Sequence, residues 1–411
     1  MVLIHSDMSV GEIMELYPES KELFIQYGFE LFTDEQVARQ FGGMLKLKTA
    51  LRSKQINPEM FIRILRERIE TTKTFRKLAA RDDAGQQPVN LLSLLPCPLM
   101  VPMQKELISF VEYLREEKNL SLNCCIEAFF NQHVNFEDYL QCFETADEIP
   151  DVLMTAGYSF LYKNFVERFI RQGVFADLPE RPVNPSLAAA GLVDPAGCVA
   201  VIAVNVLVMV VDRRRLGDLP LPAAWDDLLR PEYRQKVVIR GHDGYFCDIV
   251  QMNYYKDHGT EGVEKLARAV CYGLHPAQMV KELNSGRQDV PPIHIMPYFF
   301  YKTMRERPEV VAIWPEEGAL AYPVSVLVKA DKMQKLRELV EFLTGPRIAD
   351  ICAGAYFPAL HPDVPLRVPD TARFKWLGWD YIQNYDMEEL LETVNNLFLA
   401  SYREGSGGGC G

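Results

Sequence analysis

Residues 196–211, AGCVAVIAVNVLVMVV, restrict the fold more than any other stretch, because a run this apolar has to be buried from end to end. A membrane helix needs roughly 20 such residues. This run is shorter, Asn205 interrupts it, and Arg213, Arg214 and Arg215 follow it. Its richness in valine favours a buried strand instead. No membrane span is expected.

From Pro88 onward the chain alternates between strand and helix patterns, as a parallel or mixed sheet requires. VNLLSLL, LNCCIEAFF and IPDVLMTAG read as strands, and KELISFVEYLREEK, DYLQCFETADE and YSFLYKNFVERFIRQG as helices. The first strand-to-helix loops are then residues 96–103 and 156–159. The valine-rich strand carries the chain to a second lobe. There QKVVI ends at Arg240, and GHDGYFCDIVQMNYY begins a helix whose first amides are free to bind an anion or a carboxylate. EGVEKLARAVCYG and PAQMVKELNSG follow as helices. IHIMP is a short strand stopped at Pro297, with Tyr298, Phe299, Phe300 and Tyr301 at its end, where open α/β sheets place ligands. After a turn at Gly318, the β-branched Val324, Val326 and Val328 return the chain to its first lobe, which residues 331–400 complete as helices.

A chain of 411 residues exceeds one ordinary core and divides into two or three domains. Residues 1–70 read as a small helical accessory domain. Ser9 caps a helix with Glu12 three residues on and Val10, Ile13, Met14 and Leu16 on its apolar face; Leu23, Phe24 and Tyr27 lie on a second helix that Gly28 ends; Asn57 and Pro58 start another. Residues 71–87 are a linker, and 88–400 a two-lobed body, with lobe one at about 88–200 and 322–400 and lobe two at about 205–318. Residues 401–411 are a flexible glycine-rich tail whose Cys410 is an idle thiol, a reactive one or an added conjugation handle. A net charge of −12 argues against a broad electrostatic grip on nucleic acid or anionic lipid. Nine cysteines without disulfide-framework spacing fit a reducing compartment. The opening MVLIHSDMSVGEIMELYPES, with Asp7 and Glu12, does not read as an export signal, which predicts a cytoplasmic chain.

Two segments carry a family resemblance. AWDDLLRPEYRQKVVI presents Trp225, Asp227, Leu228, Leu229, Pro231, Tyr233, Lys236 and Val237 in the pattern W-x-D-L-L-x-P-x-Y-x-x-K-[IV], and KLRELVEFLTGPRIADICA follows the aromatic loop and glycine turn. Over about residues 88–400 the chain resembles the type II periplasmic-binding-protein superfamily, in particular its ferric-iron and polyamine solute-binding branch. The resemblance implies an α/β, two-lobed periplasmic-binding-protein type II fold preceded by a small all-α domain. It further implies an ABC-transporter-type solute-binding protein with a small-molecule or ion ligand and a transporter permease as partner. Neither an enzyme activity nor a cofactor is expected. MSVGEIMELYPES, the YGF at 27–29 and LKTALRSKQINPEMFIRIL resemble a helical domain of unknown function found at the front of iron–sulfur repair and hybrid-cluster-associated proteins. Many of those carry a cysteine just after the Gly-Phe step; this chain has Leu31 and Phe32 there, and its first cysteine is Cys97. A module that docks a protein partner or dimerises is the expectation.

The expected ligand-binding residues are Pro96, Cys97 and Pro98 in the first loop and Gly157, Tyr158 and Ser159 in the second. To these are added Gly241, His242, Asp243, Gly244 and Tyr245 after QKVVI, Tyr298 beyond IHIMP, and Tyr322 near the returning hinge. In the ferric-binding relatives neighbouring tyrosines at the place of Tyr298 supply phenolates. Here Phe299 and Phe300 break the pair, and hard Fe(III) needs anionic oxygen, so no metal site is expected beyond Tyr298 serving ferric iron alone. A site for an anion, an organic solute or a metal complex stands beside the plainer reading that these rings pack the lobe interior. Residues 241–245 read equally well as a surface turn. Two other functions stay open: a ligand sensor or assembly protein signalling through residues 1–70, and an enzyme on the same cleft using His242 with Asp243, or Cys97. No G-x-S-x-G, H-E-x-x-H, G-x-x-x-x-G-K-[ST] or C-x-x-C pattern occurs.

Overall fold

The computed structural model describes residues 4–18, 20–29, 32, 42–43, 45–54, 56, 58, 61–62, 64–66, 69, 89–128, 130–131, 134–135, 145–242 and 245–406. The linker expected at 71–87, most of DYLQCFETADE, Asn57, Asp243, Gly244 and the tail thiol Cys410 lie outside these residues. The chain forms two compact units, Met1–Val134 and Asn135–Gly411.

In the first unit, α1 (Val10–Leu16), α2 (Ser20–Gln26) and α3 (Leu47–Ser53) gather around phenylalanines. Ser9 starts α1 by accepting the Glu12 amide at 3.1 Å. Gly28, with φ at 83°, ends α2, and the Phe29 amide turns back to the Phe24 carbonyl. The Phe24 ring meets Phe29 at 5.8 Å, Phe32 at 6.3 Å and Phe61 at 5.4 Å, and Val10, Ile13, Leu47 and Leu51 close the core. Leu16, expected on that apolar face, is exposed.

Further along the same unit, β1 (Val89–Leu95), α4 (Cys97–Lys118) and β2 (Leu122–Ala128) form a parallel crossover with Leu91 opposite Cys124. Residues 96–103, expected as a loop, are the cap and first turns of α4. Proline is at home in a first helical turn because the amide it lacks would have no helical acceptor there.

The second unit runs through β3 (Val152–Ala156), β4 (Ala200–Asp212), β5 (Val237–Ile239), the hairpin strands β6 (Gly241–His242) and β7 (Tyr245–Phe246), α5 (Asp248–Ala269) and β8 (Val270–Gly273). It continues through α6 (Pro276–Asn284), β9 (Ile293–Pro297), α7 (Tyr298–Lys302), β10 (Val310–Ile313) and β11 (Ala319–Val328). It ends with α8 (Met333–Leu343), α9 (Pro346–Gly354), β12 (Phe374–Lys375), α10 (Trp379–Asn384) and α11 (Met387–Ser406). The strand order is β8-β5-β9-β4-β11-β3. Strands β8, β5 and β9 are parallel to one another, and β4 is antiparallel to β9 and β11. VCYG, expected in a helix, is β8: its Val, Cys and Tyr suit a pleated surface.

The valine-rich stretch is a strand, and β4 changes partners along its length. Up to Leu207 it pairs with β11, and from Leu207 onward with β9 and β10. Apart from the half-buried Asn205, all of β4 is buried, as is all of β11, which accounts for their unbroken apolar composition. Among the described residues no helix is long and apolar enough to cross a membrane. The three arginines after the run have a structural place too. The buried Asp212 carboxylate accepts the Arg214 and Arg215 amides at 3.0 and 3.3 Å and lies 3.4 Å from the Arg215 guanidinium.

The W-x-D-L-L-x-P-x-Y motif pins the start of β11. Trp225 Nε1 donates to the Gly318 carbonyl at 2.8 Å, and the Tyr254 hydroxyl donates to the Trp225 carbonyl at 2.6 Å. Asp227 accepts the Ala223 and Ala224 amides, and the Tyr233 hydroxyl reaches the Pro220 carbonyl at 2.6 Å. Gly318 is obligatory: its φ is 112°, and a Cβ there would lie 2.8 Å from the Phe374 carbonyl carbon.

Candidate functional site

Three parallel strands, β8, β5 and β9, point their carboxyl ends the same way, delivering Leu274, Arg240 and Tyr298 to one edge. His275 and Phe300, from two of those ends, touch with ring centroids 6.1 Å apart. Gly241, His242 and Tyr245 do not start a helix as expected. Gly241–His242 and Tyr245–Phe246 form the β6/β7 hairpin, and the helix begins at Asp248. Gly241 is there for space: a Cβ would meet the Phe246 ring at 2.6 Å and the Tyr245 carbonyl at 2.8 Å. Asp243 and Gly244 are outside the described residues.

The free helix amides expected as an anion trap are partly taken by the chain itself. Asp248 is the first residue of α5, and its partly buried carboxyl accepts the Ile249 amide and the Tyr245 hydroxyl while facing Arg240. Burial pushes this carboxyl above the usual aspartate range, and Arg240 and the hydrogen bonds offset part of that rise.

From the other side, Gly157 (φ 109°) donates its amide to the Pro323 carbonyl at 3.1 Å, fastening the loop after β3 to β11. Tyr158, 1% exposed, stands edge-on to Tyr322 with centroids 5.0 Å apart. Its hydroxyl has no hydrogen-bond partner among the described residues, and its pKa is pushed well above the ordinary value by burial, then by Asp248 and Cys247 nearby. Ser159 opens the short turn Ser159–Leu161, which brings Tyr162 forward.

Between these elements lies a cavity of about 150 Å³, lined among others by Tyr162, Tyr245, Asp248, Gln251, Glu392 and Asn395. Gln251 is 1% exposed; its Nε2 donates to the Phe246 carbonyl at 2.8 Å and to Asn395 Oδ1 at 3.3 Å, and its Oε1 has no donor. Of the expected residues Tyr245 lines this cavity, together with Asp248, Gln251, Glu392 and Asn395, which the sequence reading omitted; Tyr158, against Tyr322, and Arg240 lie outside the lining, each near Asp248. A usable signal existed for Asp248, an acidic residue in the first turn of an apolar-periodic helix. Nothing local marked Glu392 or Asn395, which arrive on α11 from the far end of the chain.

Tyr298 belongs to a neighbouring aromatic group. It stacks on Tyr301 at 6.0 Å and meets Trp314 at 5.5 Å and Tyr356 at 6.1 Å edge-on, and Lys302 Nζ stands 5.4 Å over the Tyr356 ring. Burial, followed by the closeness of Tyr301 and Tyr356, raises the pKa of the Tyr298 phenol. On β4, Asn205 is the register partner of Tyr322 and Leu207 that of Pro297. Two strand spacings, about 10 Å, therefore separate the Tyr322 backbone from the start of this group. Pro96, Cys97 and Pro98 lie in the first unit, at the cap and first turn of α4. Among the described residues no three His, Cys, Asp or Glu side chains are gathered as a metal set.

The comparisons with known proteins fit this geometry. The fold matches ferric iron-binding protein A of Mannheimia haemolytica in an open conformation, with 16% identity, 77% of this chain and 98% of that chain covered, and a TM-score of 0.53. It also matches the Trichodesmium protein IdiA (FutA) in complex with iron and citrate, with 14% identity, 77% and 99% covered, and a TM-score of 0.53. A Bordetella ferric binding protein matches with 15% identity, 77% and 99% covered, and a TM-score of 0.52. At these identities the likeness establishes the two-lobed periplasmic-binding-protein fold. No curated protein sequence matches the chain. Residues 4–62 match a domain of unknown function (DUF1858), as the N-terminal resemblance implied. Residues 147–385, more than half of the chain, match the bacterial extracellular solute-binding protein model. With the β4 and β11 strands, the carboxyl-end hairpin and the cavity all inside or against that matched region, the chain belongs to the family of bacterial extracellular solute-binding proteins.

Proposed function

We propose that the second unit captures a small solute in the cavity beside the start of α5 and presents it to a partner, of which an ABC-transporter permease is the first candidate. The observation that carries this reading is a pair of buried polar atoms without partners among the described residues, Gln251 Oε1, whose residue lines the cavity, and Tyr158 Oη, which lies near the lining residue Asp248. Buried polar groups are almost always satisfied, and an unsatisfied pair beside a cavity is what a solute would complete. Tyr158 and Tyr322 come from the β3 and β11 side of the sheet, and Asp248 and Gln251 from the β5 side. A solute touching both sides would favour the arrangement that holds them together, because only differential contact shifts such an equilibrium.

A second reading is supported by one specific observation. The hydroxyls of Tyr301 and Tyr356 lie near enough to Tyr298 to oppose its ionisation. A trivalent cation would reverse that relation by binding the phenolates. Native mass spectrometry of the full chain, purified without added metal, separates the two. The cavity reading expects a retained organic mass that Gln251→Met diminishes. An iron mass lost in Tyr298→Phe would replace it with the second reading, and a bare chain that no solute stabilises would refute both.

A further inference from the structure

Away from the cavity, a buried charged cluster ties α6 to one face of the sheet. Tyr272 on β8 and His294 on β9 are both register partners of Val238 on β5, so their side chains stand on the same face. Glu282, near the end of α6, meets both of them. Its carboxylate accepts the Tyr272 hydroxyl at 3.1 Å and lies 3.4 Å from His294 Nε2. Arg215, in the turn after β4, donates to the Glu282 carbonyl at 3.1 Å and to the Arg287 carbonyl at 2.8 Å, and its guanidinium lies 3.4 Å from Asp212. Arg307 holds the Leu283 carbonyl, and the exposed Arg287 and Asp289 pair with each other.

His294 is 0% exposed, and its surroundings suit only the neutral ring. With Nε2 beside the Glu282 carboxylate, that nitrogen carries the proton and Nδ1 is the bare acceptor. Neither Nδ1 of His294 nor Nη1 of Arg215 has a partner among the described residues. A second proton would leave a buried donor at Nδ1 with nothing to accept it, and would put a second cation near Arg215. Burial accordingly holds the pKa of His294 below its ordinary 6.5, although Glu282 and then Asp212 raise it, while Arg215 lowers it. Once α6 lifts away, water reaches the ring and the ordinary value returns. The docked arrangement is therefore fully favoured above pH 6.5 and loses ground as pH falls toward the lower value of the docked state. We propose that α6 is a proton-released strap: proton uptake by His294 frees Pro276–Asn284 from the sheet. The strap begins at the neighbouring aromatic group, where His275 touches Phe300 with centroids 6.1 Å apart, so its release uncovers that side of the group.

The test is hydrogen–deuterium exchange on the full chain at about pH 7.5 and about pH 5.5, read as protection factors corrected for the intrinsic pH dependence of amide exchange. One proton taken up only in the open state makes opening about tenfold easier across that interval. Peptides from α6 and β9 should lose about tenfold of their protection, and peptides from β4 and β11 should keep theirs. His294→Gln retains an N–H for Glu282 and takes no proton, so its loss should fall below about twofold. His275→Asn, which caps a helix as well, should keep the full loss and so exclude the exposed His275 as its source. Tyr272→Phe, at a half-buried position, should lower α6 protection by about tenfold at both pH values with their ratio unchanged, the scale of one hydrogen bond to a carboxylate. Should His294→Gln fail to fold, the parent profile and Tyr272→Phe still decide. A flat profile in the parent, a loss that His294→Gln retains or that His275→Asn removes, a loss shared equally by β4, or α6 protection indifferent to Tyr272→Phe would each overturn the strap.

Discussion

Replacing Tyr158 by Phe isolates the most telling atom in the second unit. The side chain is 1% exposed and its hydroxyl has no partner among the described residues, while its ring rests edge-on against Tyr322 at 5.0 Å. Phenylalanine keeps the ring contact and removes only the oxygen. A buried hydroxyl without a hydrogen bond costs about 1–3 kcal/mol of desolvation, so the ligand-free Tyr158→Phe protein should gain stability on that order. For a body of this size each kcal/mol moves the midpoint by about 2–4 °C, so a rise of roughly 2–12 °C is expected by calorimetry. Saturating solute should reverse the ranking. The hydroxyl acquires its partner in the complex, so the parent gains more from ligand than the variant does. A ligand-free variant destabilised by more than about 1 kcal/mol would show that the hydroxyl is already satisfied in the fold, and the reasoning would fail.

Three further predictions concern charge and architecture. Burial holds the Asp248 carboxyl above its ordinary value of 3.8, so its contribution favours the fold fully below that pH and is lost as pH rises through the folded value; ligand-free Asp248→Asn should therefore melt higher than the parent at pH 7, with the gap closing toward pH 3.8 in a series of melting curves. Gly318→Ala puts a Cβ 2.8 Å from the Phe374 carbonyl carbon at a φ of 112°, and denaturant titration should show a loss of about 1–3 kcal/mol. Leu207→Ala opens a void where β4 changes partners, and the same titration should show about 2–5 kcal/mol lost; a loss below about 1 kcal/mol would mean that the site is not packed as described.

The larger pattern was legible because periodicity and composition are local. The valine run became β4, IHIMP became β9, and the turn at Gly318 led into β11, each dictated by burial on both faces. Trp225, Asp227 and Tyr233 were recognised as a motif, and the structure gives their reasons as hydrogen bonds that brace the turn before β11. Prolines misled at residues 96–103, where a helix begins: Pro96 and Pro98 sit at its cap and first turn, which tolerate proline, and Pro102 lies inside it. Glycine misled at Gly241, where close packing against Phe246 explains the residue better than exposed amides do. The cavity was only half visible. Tyr245 was expected in the stretch after QKVVI, but Asn395 reaches the hairpin from about 150 residues away along the chain, and no spacing rule encodes that contact.

A crystal structure of the full chain, purified without refolding and supplied with the retained solute, bears most directly on the account. It should show non-protein density within hydrogen-bonding distance of Gln251 Oε1 and the Asp248 carboxylate, with the Tyr158 hydroxyl turned to it. Density enclosed instead by Tyr298, Tyr301 and Tyr356, with only water beside Asp248, would contradict it.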